Sequence, residues 1–155
     1  MSIINNTYQI NIPGSYMFEE YQSTLLGLWL ILATILFQAM VAIRFHRGQR
    51  GGYKPGIIKP ELNQSSIVFR SYRTFQNSLE NIVPILGMTF LAMFAGYSSF
   101  KLAIIVWVYA IARIGHMILY YKISTEKNPS PRSLPWAIGF LAGIYFMVDL
   151  GIFLI

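Results

Sequence analysis

Four stretches of this chain are each long enough and apolar enough to cross a bilayer, which leaves few folds open. Tyr21–Ile43 runs for 23 residues without a charge. Phe69–Ala95 is polar at its start and apolar beyond Asn81. Leu102–Ala112 is uncharged and continues past Arg113 to Tyr121, and Leu134–Ile155 carries one acid, Asp149. A span takes roughly 20 mainly apolar residues, the helix length that matches the hydrocarbon core. Inside that core each backbone polar group must be satisfied within a helix or a closed barrel. The runs lack the alternation of barrel strands. Helices are therefore expected over about 21–44, 69–95, 101–121 and 134–155. The expected fold is an all-α membrane protein, one four-transmembrane-helix domain over residues 1–155. A hydrophobic share of 55% and a mean hydropathy of +0.50 agree.

Charge then sets the expected orientation. Of twelve Lys and Arg residues, seven lie between Arg44 and Arg73: Arg44, Arg47, Arg50, Lys54, Lys59, Arg70 and Arg73. Lys122, Lys127 and Arg132 flank the third connection, on the same side. The first 20 residues hold only Glu19 and Glu20, and the second connection adds Lys101. Basic connections stay in the cytoplasm, so both termini are expected outside. A topology signal with anionic lipid contact accounts for the first loop. Nucleic-acid binding is not expected, because the cations flank spans and no recognition fold accompanies them. The first apolar run starts too late, is too long and lacks a basic leader, so it does not read as a cleaved signal peptide. The absence of cysteine excludes disulfides, a protein thiolate and cysteine metal sites.

Polar residues inside the apolar runs mark the candidate site. In FRSYRTFQNSLENIVP, Arg70, Arg73, Asn77 and Glu80 are spaced by three, four and three. At about 100° per residue they share one helical stripe, with Asn81 close by and Pro84 removing a backbone donor and bending the helix. Such groups are too costly to face lipid, and they mark function or a structural clasp between helices. In RIGHMILY, Arg113, His116 and Tyr120 repeat the pattern, with Tyr109 one turn earlier. Arg113 is the natural counter-ion for Glu80. No metal is expected, because His116 has only Arg and Tyr for company on its helix. In PSPRSLPW, Ser133 reads as an N-cap with Pro135 in the first helical turn, and Arg132 adds a cation beside the positive helix end. Together these residues describe an anion-accepting pocket near the cytoplasmic face. A lipophilic second substrate could reach it from the bilayer.

The pattern R-x-x-R-x-x-x-N-x-x-E-x-x-x-P, carried by Arg70, Arg73, Asn77, Glu80 and Pro84, resembles the superfamily of membrane-associated proteins in eicosanoid and glutathione metabolism (MAPEG). R-x-x-H-x-x-x-Y, at Arg113, His116 and Tyr120, is similar to its prostaglandin E synthase branch. The Arg132–Ser133 pair before the last helix is a third match. The resemblance implies a homotrimer that binds glutathione between subunits. Arg73, Asn77, Glu80, His116 and Tyr120 would hold the tripeptide, with Arg70 and Arg113 in the same binding set. Arg132 would stabilise the thiolate, assisted by Ser133. The implied activity is that of a membrane glutathione transferase or peroxidase, attacking hydrophobic electrophiles or lipid hydroperoxides. A glutathione-dependent isomerase and a non-catalytic lipid-binding member are the alternatives. Phe75 stands where the isomerase pattern has His, and Gln76 where it has Arg. The family's helix 1 Arg is matched nearest by Arg50, then Arg47. The interval from Tyr120 to Arg132 is longer than in those branches, so Lys127 competes with Arg132 for the thiolate role.

Overall fold

A computed structural model describes residues 15–49, 54 and 57–155 of the protein. It contains four long helices: α1 Ser15–Arg47, α2 Ile67–Phe94, α3 Ser99–Lys122 and α4 Ser133–Leu154. All four are long and apolar enough to cross a membrane. Helix α1 begins ahead of the apolar run and breaks at Tyr21, where the backbone leaves helical values (φ −104°, ψ 16°). Tyr21 is buried and donates its hydroxyl to the Tyr97 carbonyl at 2.6 Å, so the kink falls where the apolar segment starts. Helix α2 passes through Pro84 as one element of 28 residues.

The core lies between α1, α2 and α3, and α4 packs mainly on α3. Leu28, Ile31, Ile82, Ile85, Leu102, Ile105, Val106 and Phe146 fill it. Lipid tails are as apolar as leucine, so helices in a bilayer associate through close packing and polar contacts, and small residues permit the approach. A Cβ on Gly27 would stand 2.8 Å from Val106 Cγ1, so α1 and α3 meet there backbone to side chain. On α4 only Gly139, Phe146 and Leu150 are buried, and its other faces are apolar and open.

The end of the bundle holding the α2–α3 turn is tied by a polar knot. Gly96 takes φ +72° after α2, and the N–H groups of Gly96 and Tyr97 return to the carbonyls of Met93 and Ala92. That pair of bonds closes a Schellman motif, in which a left-handed glycine stops the helix. Tyr97 donates its hydroxyl to Asp149, and Lys101 Nζ lies 3.2 Å from the same carboxylate. Burial first, then the Asp149 carboxylate, hold the Tyr97 phenol above its ordinary range. A phenol held up in the folded chain leaves stability unaffected below the unfolded value of about 10, and stability falls as pH rises beyond it. Tyr97→Phe should lower stability by about 1–3 kcal/mol, measured by unfolding in detergent micelles. A loss below about 0.5 kcal/mol would mean that Lys101 alone satisfies Asp149.

Candidate functional site

The other end of the bundle is closed by the two basic connections, which meet through Gln64. Its backbone N–H donates to Glu126 Oε1 at 2.9 Å, and its carbonyl accepts from Ser124 Oγ at 3.0 Å. Its side chain joins two of the expected site residues. Nε2 donates to the Tyr120 hydroxyl at 3.1 Å, and Oε1 accepts from an Arg132 guanidinium nitrogen at 3.0 Å. Arg132 also donates to the Thr125 carbonyl at 2.8 Å, and its guanidinium carbon lies 4.2 Å from the Tyr120 ring centre. It is buried, and every hydrogen-bond acceptor it has is neutral. A guanidinium with only neutral partners in a low-dielectric setting has a charge left to compensate, so it favours an anion.

His116 belongs to this cluster. Its Nδ1 is 2.9 Å from the Arg132 carbonyl, which fixes the hydrogen on Nδ1 and leaves Nε2 as an acceptor. Nε2 is buried and has no partner among the described residues. The His116 and Tyr120 rings pack edge to face at 5.3 Å. Ser133 takes a different role from the expected N-cap. Arg132 occupies the cap position of α4, and the Ser133 hydroxyl turns back to accept from the Ser130 N–H at 3.1 Å. Ser133 N–H in turn donates to the Ser130 carbonyl at 2.8 Å, so the pair locks the turn that presents Arg132. Lys127, the competing cation, is exposed.

Arg70 does not snorkel to solvent. It is buried and donates to the carbonyls of Gln64 at 2.6 Å, Ser65 at 3.0 Å and Tyr121 at 3.4 Å, sewing the first connection onto the end of α3.

One to two turns deeper lies a second group. Arg113 is buried and donates to Asn77 Oδ1 at 2.8 Å and Ser78 Oγ at 3.1 Å. The expected Arg113–Glu80 pair is not formed. Glu80 pairs instead with Arg73, at 3.0 Å, two turns away along α2. Residues seven apart return to one helix face, so the long Arg73 side chain reaches Glu80 without crossing to α3. Tyr109 donates to the Asn81 carbonyl at 3.0 Å, beside the carbonyl that Pro84 leaves without its intrahelical donor. Gln38, almost fully buried, lines a cavity of about 10 Å³ with Ser78, Tyr109 and Arg113.

The Arg73–Glu80 pair forms a third group, on the outer side of α2. The two side chains are 44% and 52% exposed in the single chain. Glu80 also lines a groove of about 300 Å³ between α2 and α4, with Pro84, Gly139, Phe140, Gly143 and Met147. Among the described residues no hydrogen bond or ion pair joins this group to His116, Tyr120 or Arg132. Arg50 lies outside the described residues, and Arg47 is exposed in the last turn of α1.

Gln64 was absent from the sequence expectations. It sits in a connection, where helical periodicity says nothing, and its side-chain partners are 56 and 68 residues away. Four apolar helices with buried guanidinium groups gathered toward one end define an integral membrane protein with a cation-rich polar interior. The MAPEG family profile matches residues 23–152, nearly the whole chain, so the protein belongs to the MAPEG family of membrane proteins in glutathione and eicosanoid metabolism. Neither the curated proteins nor the solved structures include a match.

Proposed function

We propose that the protein is a membrane glutathione transferase or peroxidase, which activates glutathione as a thiolate for attack on hydrophobic electrophiles or lipid hydroperoxides. The observation that carries the proposal is the buried Arg132 guanidinium, whose acceptors are all neutral, with His116 fastened to the Arg132 carbonyl through Nδ1 and its Nε2 left as an open acceptor. Thiolate rather than thiol is the nucleophile, and a fixed cation lowers the thiol pKa. Arg132 would hold the sulfur as an anion, with Ser133 keeping the turn in place. His116 and Tyr120 would flank it.

Glutathione carries two carboxylates and an ammonium group, which suits an ion pair that already presents both signs. Arg73 and Glu80 would take these charged ends, and the Asn77 amide nitrogen would donate to a peptide carbonyl. Arg113 holds Asn77 and Arg70 holds Gln64, so both act through their neighbours.

The same ion pair supports the homotrimer. Glu80 lies 13 residues into α2, about 20 Å along its axis, and a half-exposed ion pair at that depth is costly against lipid. A neighbouring protomer would cover it and complete the site. The basic end would face the cytoplasm, with both termini outside.

Two measurements test the proposal. Mixing the purified protein with glutathione should produce an ultraviolet thiolate band, and its absence would sink the enzymatic reading in favour of a non-catalytic lipid-binding role. Glu80→Gln should weaken glutathione binding by about tenfold while leaving the thiolate band at saturation, since a lost charged hydrogen bond costs roughly 1.5–3 kcal/mol. Unchanged binding would remove Glu80 from the site.

A further inference from the structure

A second site is built where α1 meets α2, away from the Arg132 cluster. Ala39, Ala42, Ile43 and His46 follow one another at three, one and three residues on α1, a single helical stripe. Tyr72, Phe75 and Gln76 face them from α2, and Ile58 from the connection. Together they line a groove of about 300 Å³ that runs along the helices for roughly 10 Å, from residue 39 to residue 46. Its walls are apolar except at His46, Tyr72 and Gln76.

At the His46 end the character changes. His46 also lines a second cavity, of about 470 Å³, with Gln49, Lys54, Ile57, Lys59 and Glu61. Among the described residues this cup holds two lysines against one carboxylate, and Arg44 and Arg47 lie in the last turn of α1 beside it. Its shape is set by specific bonds. The Lys54 carbonyl accepts from His46 Nε2 at 2.8 Å and from the Ile57 N–H at 3.3 Å, which draws the connection over the end of α1. Gln49 returns to the His46 carbonyl at 3.2 Å through its side chain.

We infer that this apolar groove and its cationic cup form a binding site for one anionic phospholipid, acyl chain along α1 and α2 and phosphate in the Lys54–Lys59 cup. The order of the two chambers is that of a lipid in a leaflet. The apolar groove lies along the span, and the cup lies at the helix end, where headgroups reside. A basic pocket at the membrane surface attracts an anionic headgroup in proportion to its Lys and Arg, and holds a zwitterionic headgroup much less. The inference does not depend on the glutathione reading, because none of the cup residues belongs to the Arg132 cluster.

Native mass spectrometry of the full chain, exposed in detergent to equal amounts of phosphatidylglycerol and phosphatidylcholine, provides the test. The wild type should retain phosphatidylglycerol over phosphatidylcholine by a factor on the order of ten. Lys54→Gln with Lys59→Gln should bring that ratio close to one. Lys122→Gln, an exposed cation at the end of α3, should leave it unchanged. Ala42→Leu, which fills the groove, should lower retention of both lipids together. Neither glycerol phosphate nor glutathione should displace the bound lipid. Equal retention of the two lipids by the wild type would overturn the inference. So would loss of the preference in Lys122→Gln, which would mean a diffuse positive field. Displacement by glutathione would assign the cup to the other site, and displacement by glycerol phosphate would remove the acyl groove from recognition.

Discussion

Gln64→Glu should abolish the glutathione thiolate band while leaving the helices intact. The replacement is nearly isosteric and keeps an oxygen for the Arg132 guanidinium, which Gln64 Oε1 meets at 3.0 Å. What changes is the charge. An internal carboxylate would compensate Arg132 and take away its field at the thiol. Opposite charges within about 4–6 Å shift a pKa by roughly 1–3 units, so cancelling one lowers the thiolate fraction at neutral pH by at least about tenfold. Arg132→Ala should give the same loss by removing the cation itself. Lys127→Ala should not, because Lys127 is exposed outside the cluster. Stopped-flow absorbance with glutathione, with circular dichroism as the folding control, measures all three. A normal band in Gln64→Glu would mean that Arg132 does not stabilise the sulfur. Loss in Lys127→Ala alone would move the role to that residue.

The largest effect on stability is expected at Asn77. Asn77→Leu should cost about 2–3 kcal/mol in reversible unfolding from micelles, because Arg113 keeps only the Ser78 hydroxyl as an acceptor. The charge would remain buried with half of its partners gone. Adding Arg113→Leu to Asn77→Leu should recover most of that loss, since removing a buried charge together with its partner is often neutral or stabilising. A double variant no more stable than Asn77→Leu would show that Arg113 does more for the fold than bond Asn77.

How much could be read from the chain differs by feature. The four apolar runs gave the helices, because length and continuity of apolar residues are local properties. The start of α1 shifted most, as the helix extends through the Tyr21 kink, and the other ends moved by one to three residues. The meeting of the two basic connections at one end followed from charge. The stripes on α2 and α3 named residues that the structure does place in polar groups, because helical spacing is also local. Their partners were not legible. Glu80 and Arg113 share a plausible depth, and only the rotation of each helix decides that Arg113 meets Asn77 and Ser78 while Glu80 turns outward to Arg73. Ser133 looked like a cap by residue type, yet its hydroxyl serves the preceding turn. Gln64 carried no signal at all, since connection residues are placed by the elements they join.

The knot around Tyr97 has a consequence for connectivity. The four-residue turn between α2 and α3 receives Tyr21 of α1 on its Tyr97 carbonyl and Asp149 of α4 on its Tyr97 hydroxyl. One short segment is therefore the common fastening of every helix at that end. A backbone cut between Gly96 and Ser98 would release several helices from one another at once, whereas a cut near Lys59 would free only a loop still held by Arg70.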